Sequence, residues 1–330
     1  MPDFAIHRTR FENYSDTALY GLYRESVFTN LSPSEKLDLM QETVNRDAAL
    51  QGMKGAPEVV YGDLTSEFGG CYMDGVIYMN YELIVEGEGE YPNCQALNSV
   101  FHENIHAWQD QVADGTIPAV SPELRTQYRA NDASTSVVKQ NGSYKMGNQY
   151  LSGITSPYLY YFQALERDAK LGAEIKTNSI IQDLIAKFGM EKSFEDYEKN
   201  MAEFGYGAME EKAIAFYQNP DFVRDLNRVL VNQKFGTNLP VDKATEEAVK
   251  TEMVATYREL YLNQEKETEK EKETMKLDGP VTMEEYNASL QETEAQETAE
   301  TETVQEETEN NIADVDNEAD SELGDDDLDL

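Results

Sequence analysis

The residues best placed to do chemistry sit in one run, Phe101-His102-Glu103-Asn104-Ile105-His106-Ala107-Trp108-Gln109, which contains His-Glu-x-x-His. On a helix, positions i and i+4 share a face, so both imidazoles can aim at a single ion. Zinc accepts neutral imidazole nitrogens at about 2.0–2.1 Å and prefers four ligands. Glu103 projects beside them and can act as general base towards a water whose pKa the metal has lowered to about 7. The expected centre is therefore His102 and His106 as ligands, Glu103 as the catalytic proton carrier and Zn2+ as cofactor. The chain has only three histidines, so a chance match to the pattern is about one in 300. The competing reading is two histidines that merely decorate a helix.

Those residues need a helix, and the sequence supplies one over about 94–113, with Asn93 as a candidate N-cap and Asp114-Gly115 as the stop. At about 100° per residue, Leu97, Val100, Phe101, Ile105, Trp108 and Val112 form an apolar stripe, with the histidines and Glu103 on the other side. A short β region precedes it. Residues 58–61 read as a strand, and 71–73 and 76–84 flank Asp74-Gly75, a strong hairpin signal. Upstream, a short helix is expected over 16–27. Ser32-Pro33-Ser34-Glu35 carries a capping box with Pro at the first helical position, opening a helix to about residue 51. Downstream, helices are expected over 122–130, 156–176, 180–188, 194–204, 208–217, 221–233 and 242–262, with a loop over 140–153.

The region 72–174 resembles the zincin metallopeptidases, in which an antiparallel strand precedes the His-Glu-x-x-His helix. The metzincin extension needs Gly at 109 and His at 112. This chain has Gln109 and Val112, so the resemblance is to the gluzincin branch, which implies a downstream Glu as third ligand. His7 is remote, so an acidic ligand also follows from the composition. Glu166 is the candidate: it shares a helical stripe with Leu159, Phe162, Ala169 and Ala173, where a carboxylate is costly unless something pairs with it. Ala169, Gly172 and Ala173 are small enough to let that helix approach the motif helix. Glu174 and Asp168 stay open as alternatives. Asp168 is also a candidate acceptor for the far N–H of a ligating histidine. The resemblance further implies a Tyr or His that stabilises an oxyanion, for which Tyr158, Tyr160 and Tyr161 are nearest to Glu166. The strand at 76–82 is the candidate to line the cleft and pair with an extended substrate.

The expected fold class is α+β: a zincin-like metallopeptidase domain over 31–262, after a lead-in of 1–30. Its small antiparallel sheet and motif helix occupy 57–113 and a helical C-terminal subdomain 156–262. Hydrophobic residues make up 40% of the 330, enough for one core of this size. From 281 to 330 there are 19 Asp or Glu and no Lys or Arg, about half of the formal net charge of -37. Such sequence cannot offset chain entropy by burial, so 263–330 is expected to be a disordered acidic tail, a solubilising segment or an arm for a protein partner. The acidity disfavours direct nucleic acid binding. The start has no apolar h-region and no window suits a membrane span, so a cytoplasmic protein without a membrane role is expected. Cys71 and Cys94 make no disulfide framework and read as inert thiols, as His7 reads as an incidental surface residue.

The expected function is a zinc metallopeptidase acting on a peptide or protein substrate. The alternative is a catalytically silent zincin-fold binding or anti-defence protein of a mobile genetic element. The sequence resembles uncharacterised bacterial mobile-element proteins that join a short His-Glu-x-x-His domain to a low-complexity tail. An intact Glu103 argues for turnover. A closed structural zinc site would want more cysteines than two, and a non-peptide amide as substrate is compatible with the motif.

Overall fold

The computed structural model describes residues 7–65, 69–87, 91–131, 137–140, 143–146 and 149–259; the acidic stretch 263–330, expected to be disordered, lies outside them. The single helix expected over 16–27 is divided into α1 (Asp16–Tyr20), a 3-10 turn (Gly21–Tyr23) and α2 (Glu25–Phe28). The division follows from Arg24, whose extended backbone (ψ 138°) interrupts the winding. The helix α3 (Pro33–Leu50) begins as its sequence dictates: Ser32 and Glu35 each accept the other's backbone N–H, which satisfies two of the donors a helix start leaves open.

Three short strands follow: β1 (Glu58–Gly62), β2 (Gly70–Met73) and β3 (Val76–Asn80), in the order β1-β3-β2. Asp74 (φ 52°) and Gly75 (φ 83°) form the two-residue turn between β2 and β3. Both positions are left-handed, which Asp tolerates and Gly adopts freely. The sheet is mixed rather than antiparallel as expected, because β1 pairs with β3 in parallel. The chain passes from β1 to the far side of β3 before the hairpin brings it back. The strand expected to reach residue 84 stops at Asn80, since Glu82–Glu86 winds into a π-helical turn closed by Gly87 at φ 74°.

The motif helix α4 (Pro92–Asp114) starts slightly before the expected point. Asn93 does not cap it; its buried amide instead donates to the Tyr23 carbonyl and Ser193 Oγ. Gly115 at φ 88° ends it as expected. After α5 (Pro122–Asn131), part of the stretch expected to be loop pairs as a hairpin, β4 (Val137–Gln140) with β5 (Ser143–Met146).

The helix expected over 156–176 is broken. It forms α6 (Pro157–Phe162) and α7 (Ala164–Phe188), the second absorbing the segment expected as a separate helix over 180–188. Gln163 between them is extended (ψ 150°) and fully buried. Its amide exchanges two hydrogen bonds of 2.8 Å with the Leu151 backbone, much as a strand partner would. The Phe162 carbonyl near the break is taken by Asn227 Nδ2 at 3.0 Å. The remaining helices, α8 (Lys192–Phe204), α9 (Tyr206–Tyr217), α10 (Phe222–Phe235) and α11 (Lys243–Tyr257), fall close to where periodicity puts them.

Among the described residues, four apolar clusters hold these elements, two smaller ones seating α8 and α5 and two larger ones forming the main cores. One joins α3, the sheet, the front half of α4 and Ala169 and Ala173 of α7. The other gathers Leu151, Leu159, Phe162, Phe222, Leu226, Leu230 and Val249 under the C-terminal helices. The class is α+β, predominantly helical with a small mixed sheet.

Candidate metal centre

Helix α4 is buried on more than the one face its apolar stripe suggests: Glu103, Asn104 and Gln109 are as enclosed as Val100 and Phe101. Asn104 sets its rotation. It lies two residues from each histidine, about 200° around the helix, and faces away from them. Asn104 Nδ2 donates to Asp47 Oδ2 of α3 at 2.7 Å, and Lys176 of α7 donates to both Asp47 oxygens at 2.6 and 2.8 Å. A buried carboxylate is tolerable here because it is both paired and hydrogen-bonded. With that back face pinned, the histidines must look the other way, towards the start of α7.

There the two imidazoles meet Glu166. His102 Nε2 and His106 Nε2 are 3.0 Å apart. His102 Nε2 lies 3.5 Å from Glu166 Oε2, and His106 Nε2 lies 3.5 Å from Glu166 Oε1. All three donor atoms fall within 4.8 Å of one another, the only such His, Cys or carboxylate group among the described residues. Tetrahedral zinc with bonds of about 2.0–2.1 Å separates its ligand atoms by about 3.3–3.4 Å, within the 3.0–3.5 Å span of these contacts. Glu166 Oε2 is buried and makes no hydrogen bond of normal length; its nearest polar neighbours are His102 Nε2 at 3.5 Å and Lys170 Nζ at 3.8 Å. A buried carboxylate oxygen held this loosely keeps acceptor capacity for a cation. The donor set and that spare capacity fit a metal ion of the zinc type.

The electrostatics favour donors over charged rings. Burial lowers the His102 pKa from its ordinary value, against the opposing pull of Glu166 and with the neighbouring His106 adding to the lowering. Burial alone would raise the Glu166 carboxyl, but His102, His106 and Lys170 at 3.8 Å together outweigh it and hold the group well below the usual carboxylate range. Glu166 occupies the first turn of α7, where the helix dipole also favours a negative charge.

The alternatives to Glu166 are engaged elsewhere. Glu174 accepts the backbone N–H of Tyr206 at 2.7 Å. Asp168 accepts the Tyr128 hydroxyl at 2.8 Å and pairs with Arg167 at 2.6 Å, so it does not hold a histidine either. That place belongs to Gln109, whose Oε1 is 2.8 Å from His106 Nδ1 and whose Nε2 donates to the Leu165 carbonyl at 2.9 Å. The sequence offered Gln109 only as a missing glycine; its spacing of three from His106 was the signal.

Glu103 is nearly enclosed, its Cγ against Gly70 of β2, where an added Cβ would stand 3.0 Å away. The expectation that β3 pairs with substrate does not hold, since β1 and β2 already occupy both its edges. The strand beside Glu103 is β2, at the sheet margin. Of the three tyrosines expected near the site, Tyr160 is there. Its hydroxyl pKa is raised, first by burial and then by the Glu166 charge. Tyr158 packs on Phe216, and Tyr161 reaches the Phe204 carbonyl. Tyr150, which the sequence did not single out, donates to Glu166 Oε1 at 2.8 Å and meets the Tyr160 ring edge-on. The loop that carries it is held by Gln163 and by α11. Glu252 accepts the backbone N–H groups of Ile154 and Thr155 at 2.6 and 2.7 Å, and Thr256 Oγ1 accepts that of Ser152 at 3.1 Å. The Cys71 thiol is raised by burial, then by the Glu103 and Glu166 charges, so no thiolate is favoured beside the centre. Cys94 is buried, with Sγ against the Ser193 carbonyl.

Comparison with known protein families, with curated proteins and with solved structures gives no match. Among the described residues no helix is long and apolar enough to cross a membrane.

Proposed function

We propose that this protein is a zinc-dependent hydrolase that cleaves peptide bonds, with His102, His106 and Glu166 holding the ion and Glu103 as general base. The reading rests on one observation: two imidazole nitrogens and a buried carboxylate, one of whose oxygens lacks a close hydrogen bond, converge at ligand spacing from two helices. A bound zinc would supply Lewis acidity there, lowering the pKa of water and polarising a carbonyl. The chain's own residues do the rest. Glu103 takes a proton from the attacking water and returns it to the leaving amine. Tyr150 keeps Glu166 Oε1 hydrogen-bonded, which leaves Oε2 as the donor. Tyr160, whose ring meets that of Tyr150 beside Glu166, is the hydroxyl we assign to a developing oxyanion. An extended substrate would add to the margin of β2, the strand that Gly70 lays against Glu103. The substrate is then a peptide or protein.

The test joins metal content to turnover. The purified protein should hold one zinc per chain and cleave casein or a peptide library, and Glu103→Gln should retain the zinc and lose cleavage by about 100-fold or more. A protein that stays metal-free in excess zinc, or a Glu103→Gln variant that cleaves normally, sinks the proposal. Zinc bound without any cleavage by the wild type would point instead to a silent binding protein.

A further inference from the structure

Gln109 lies one turn beyond His106 on α4 and has no exposed surface. A backbone carbonyl only accepts, so the amide must turn its NH2 to Leu165, as its 2.9 Å contact shows. Its Oε1, itself only an acceptor, is then the atom 2.8 Å from His106 Nδ1. His106 Nδ1 must therefore carry the proton, which in a neutral imidazole leaves the lone pair on Nε2. Nε2 is the nitrogen that faces His102 and Glu166. The other end of the same amide holds the residue just before Glu166.

We propose that Gln109 is a positioning residue of the metal centre: one buried amide presets the tautomer of His106 and ties the start of α7, and with it Glu166, to the motif helix. The inference rests on the metal reading above.

The test reads the ring nitrogens of the full-length, metal-free protein by nitrogen-15 NMR, which three histidines leave uncrowded. The wild type should show His106 as the Nδ1–H form. Gln109→Met keeps length and removes both hydrogen bonds. It should lose the His106 preference, and its affinity for zinc, read by competition with a chelator, should fall about 10–100-fold, with its far-ultraviolet circular dichroism unchanged. Gln109→Glu keeps an acceptor for Nδ1 and should keep the tautomer. Wild-type His106 in the Nε2–H form overturns the proposal, as does Gln109→Met with wild-type tautomer and affinity, or with weaker affinity and an unchanged tautomer. If Gln109→Met does not fold, Gln109→Glu with His106 in the Nε2–H form has the same force. A wild type with the expected tautomer that takes up no zinc would end the metal reading and leave the tautomer assignment standing.

Discussion

At the scale of single residues, the site was legible where chemistry demands a residue type and opaque where packing does. His102, Glu103 and His106 announce themselves by spacing, and Glu166 by being a carboxylate among small apolar neighbours. Its stripe was drawn through Leu159 and Phe162, which the break at Gln163 assigns to a different core; Ala169 and Ala173 alone carry the argument. Tyr150 and Gln109 gave no comparable signal, because a hydrogen-bonding side chain looks the same whether it meets water or a ligand's carboxylate. The tight fit that bears on Glu103 is at Gly70. A methyl added there would press on Glu103 Cγ, Met79 Sδ and the Tyr78 carbonyl at 3.0–3.3 Å. Gly70→Ala should displace the Glu103 carboxylate and lower kcat about 10–100-fold, since small misplacements of a proton carrier are costly. Zinc content should stay at the wild-type value, and if kcat stays there too, Glu103 does not act from where it stands.

At the scale of elements, local signals fared well and long-range ones did not. The Ser32–Glu35 capping box, the Asp74-Gly75 turn and the Gly115 stop all act within a few residues, and all form. The parallel pairing of β1 with β3 depends on where the chain goes between strands, which no short window encodes. The division of α6 from α7 has no Pro or Gly to mark it. It is driven by a distant partner, the Leu151 backbone, that makes Gln163 more useful extended than helical. The proposed ligands on α4 and α7 also require those helices to lie close. At Gly172 an added Cβ would stand 2.7 Å from Ile105 Cδ1. Gly172→Ala should be absorbed by a rotation of that methyl. Gly172→Leu should force the helices apart, lowering stability by about 1–3 kcal/mol and weakening zinc binding, which thermal melts and chelator competition would measure. Unchanged zinc affinity in that variant would mean the ligands do not depend on this contact.

At the scale of the whole molecule, the charge is the dominant fact: a formal net charge of -37 at pH 7 makes self-repulsion a steady cost. Acid would relieve that repulsion, yet it also removes carboxylates that hold the fold. Asp225 is one. Burial by itself would raise its carboxyl, but hydrogen bonds from Asn219, Arg224 and the Asp242 backbone N–H outweigh that and lower it. A carboxyl depressed in the folded state contributes stability above its unfolded pKa of about 3.9 and loses it as pH falls through the folded value. Asp225→Asn should therefore cost about 1–3 kcal/mol at pH 7, with the difference from wild type shrinking below about pH 4. Denaturant melts across pH check this, and a cost that persists undiminished in acid would assign the effect to shape rather than charge.

The grip of α11 on the loop before α6 bears on how the protein is made. His102, His106 and Glu166 have all left the ribosome well before Glu252 and Thr256 have been translated. A nascent chain thus carries every proposed ligand while the segment bearing Tyr150 is still unfastened, and the cluster acquires its final form only once α11 has been synthesised.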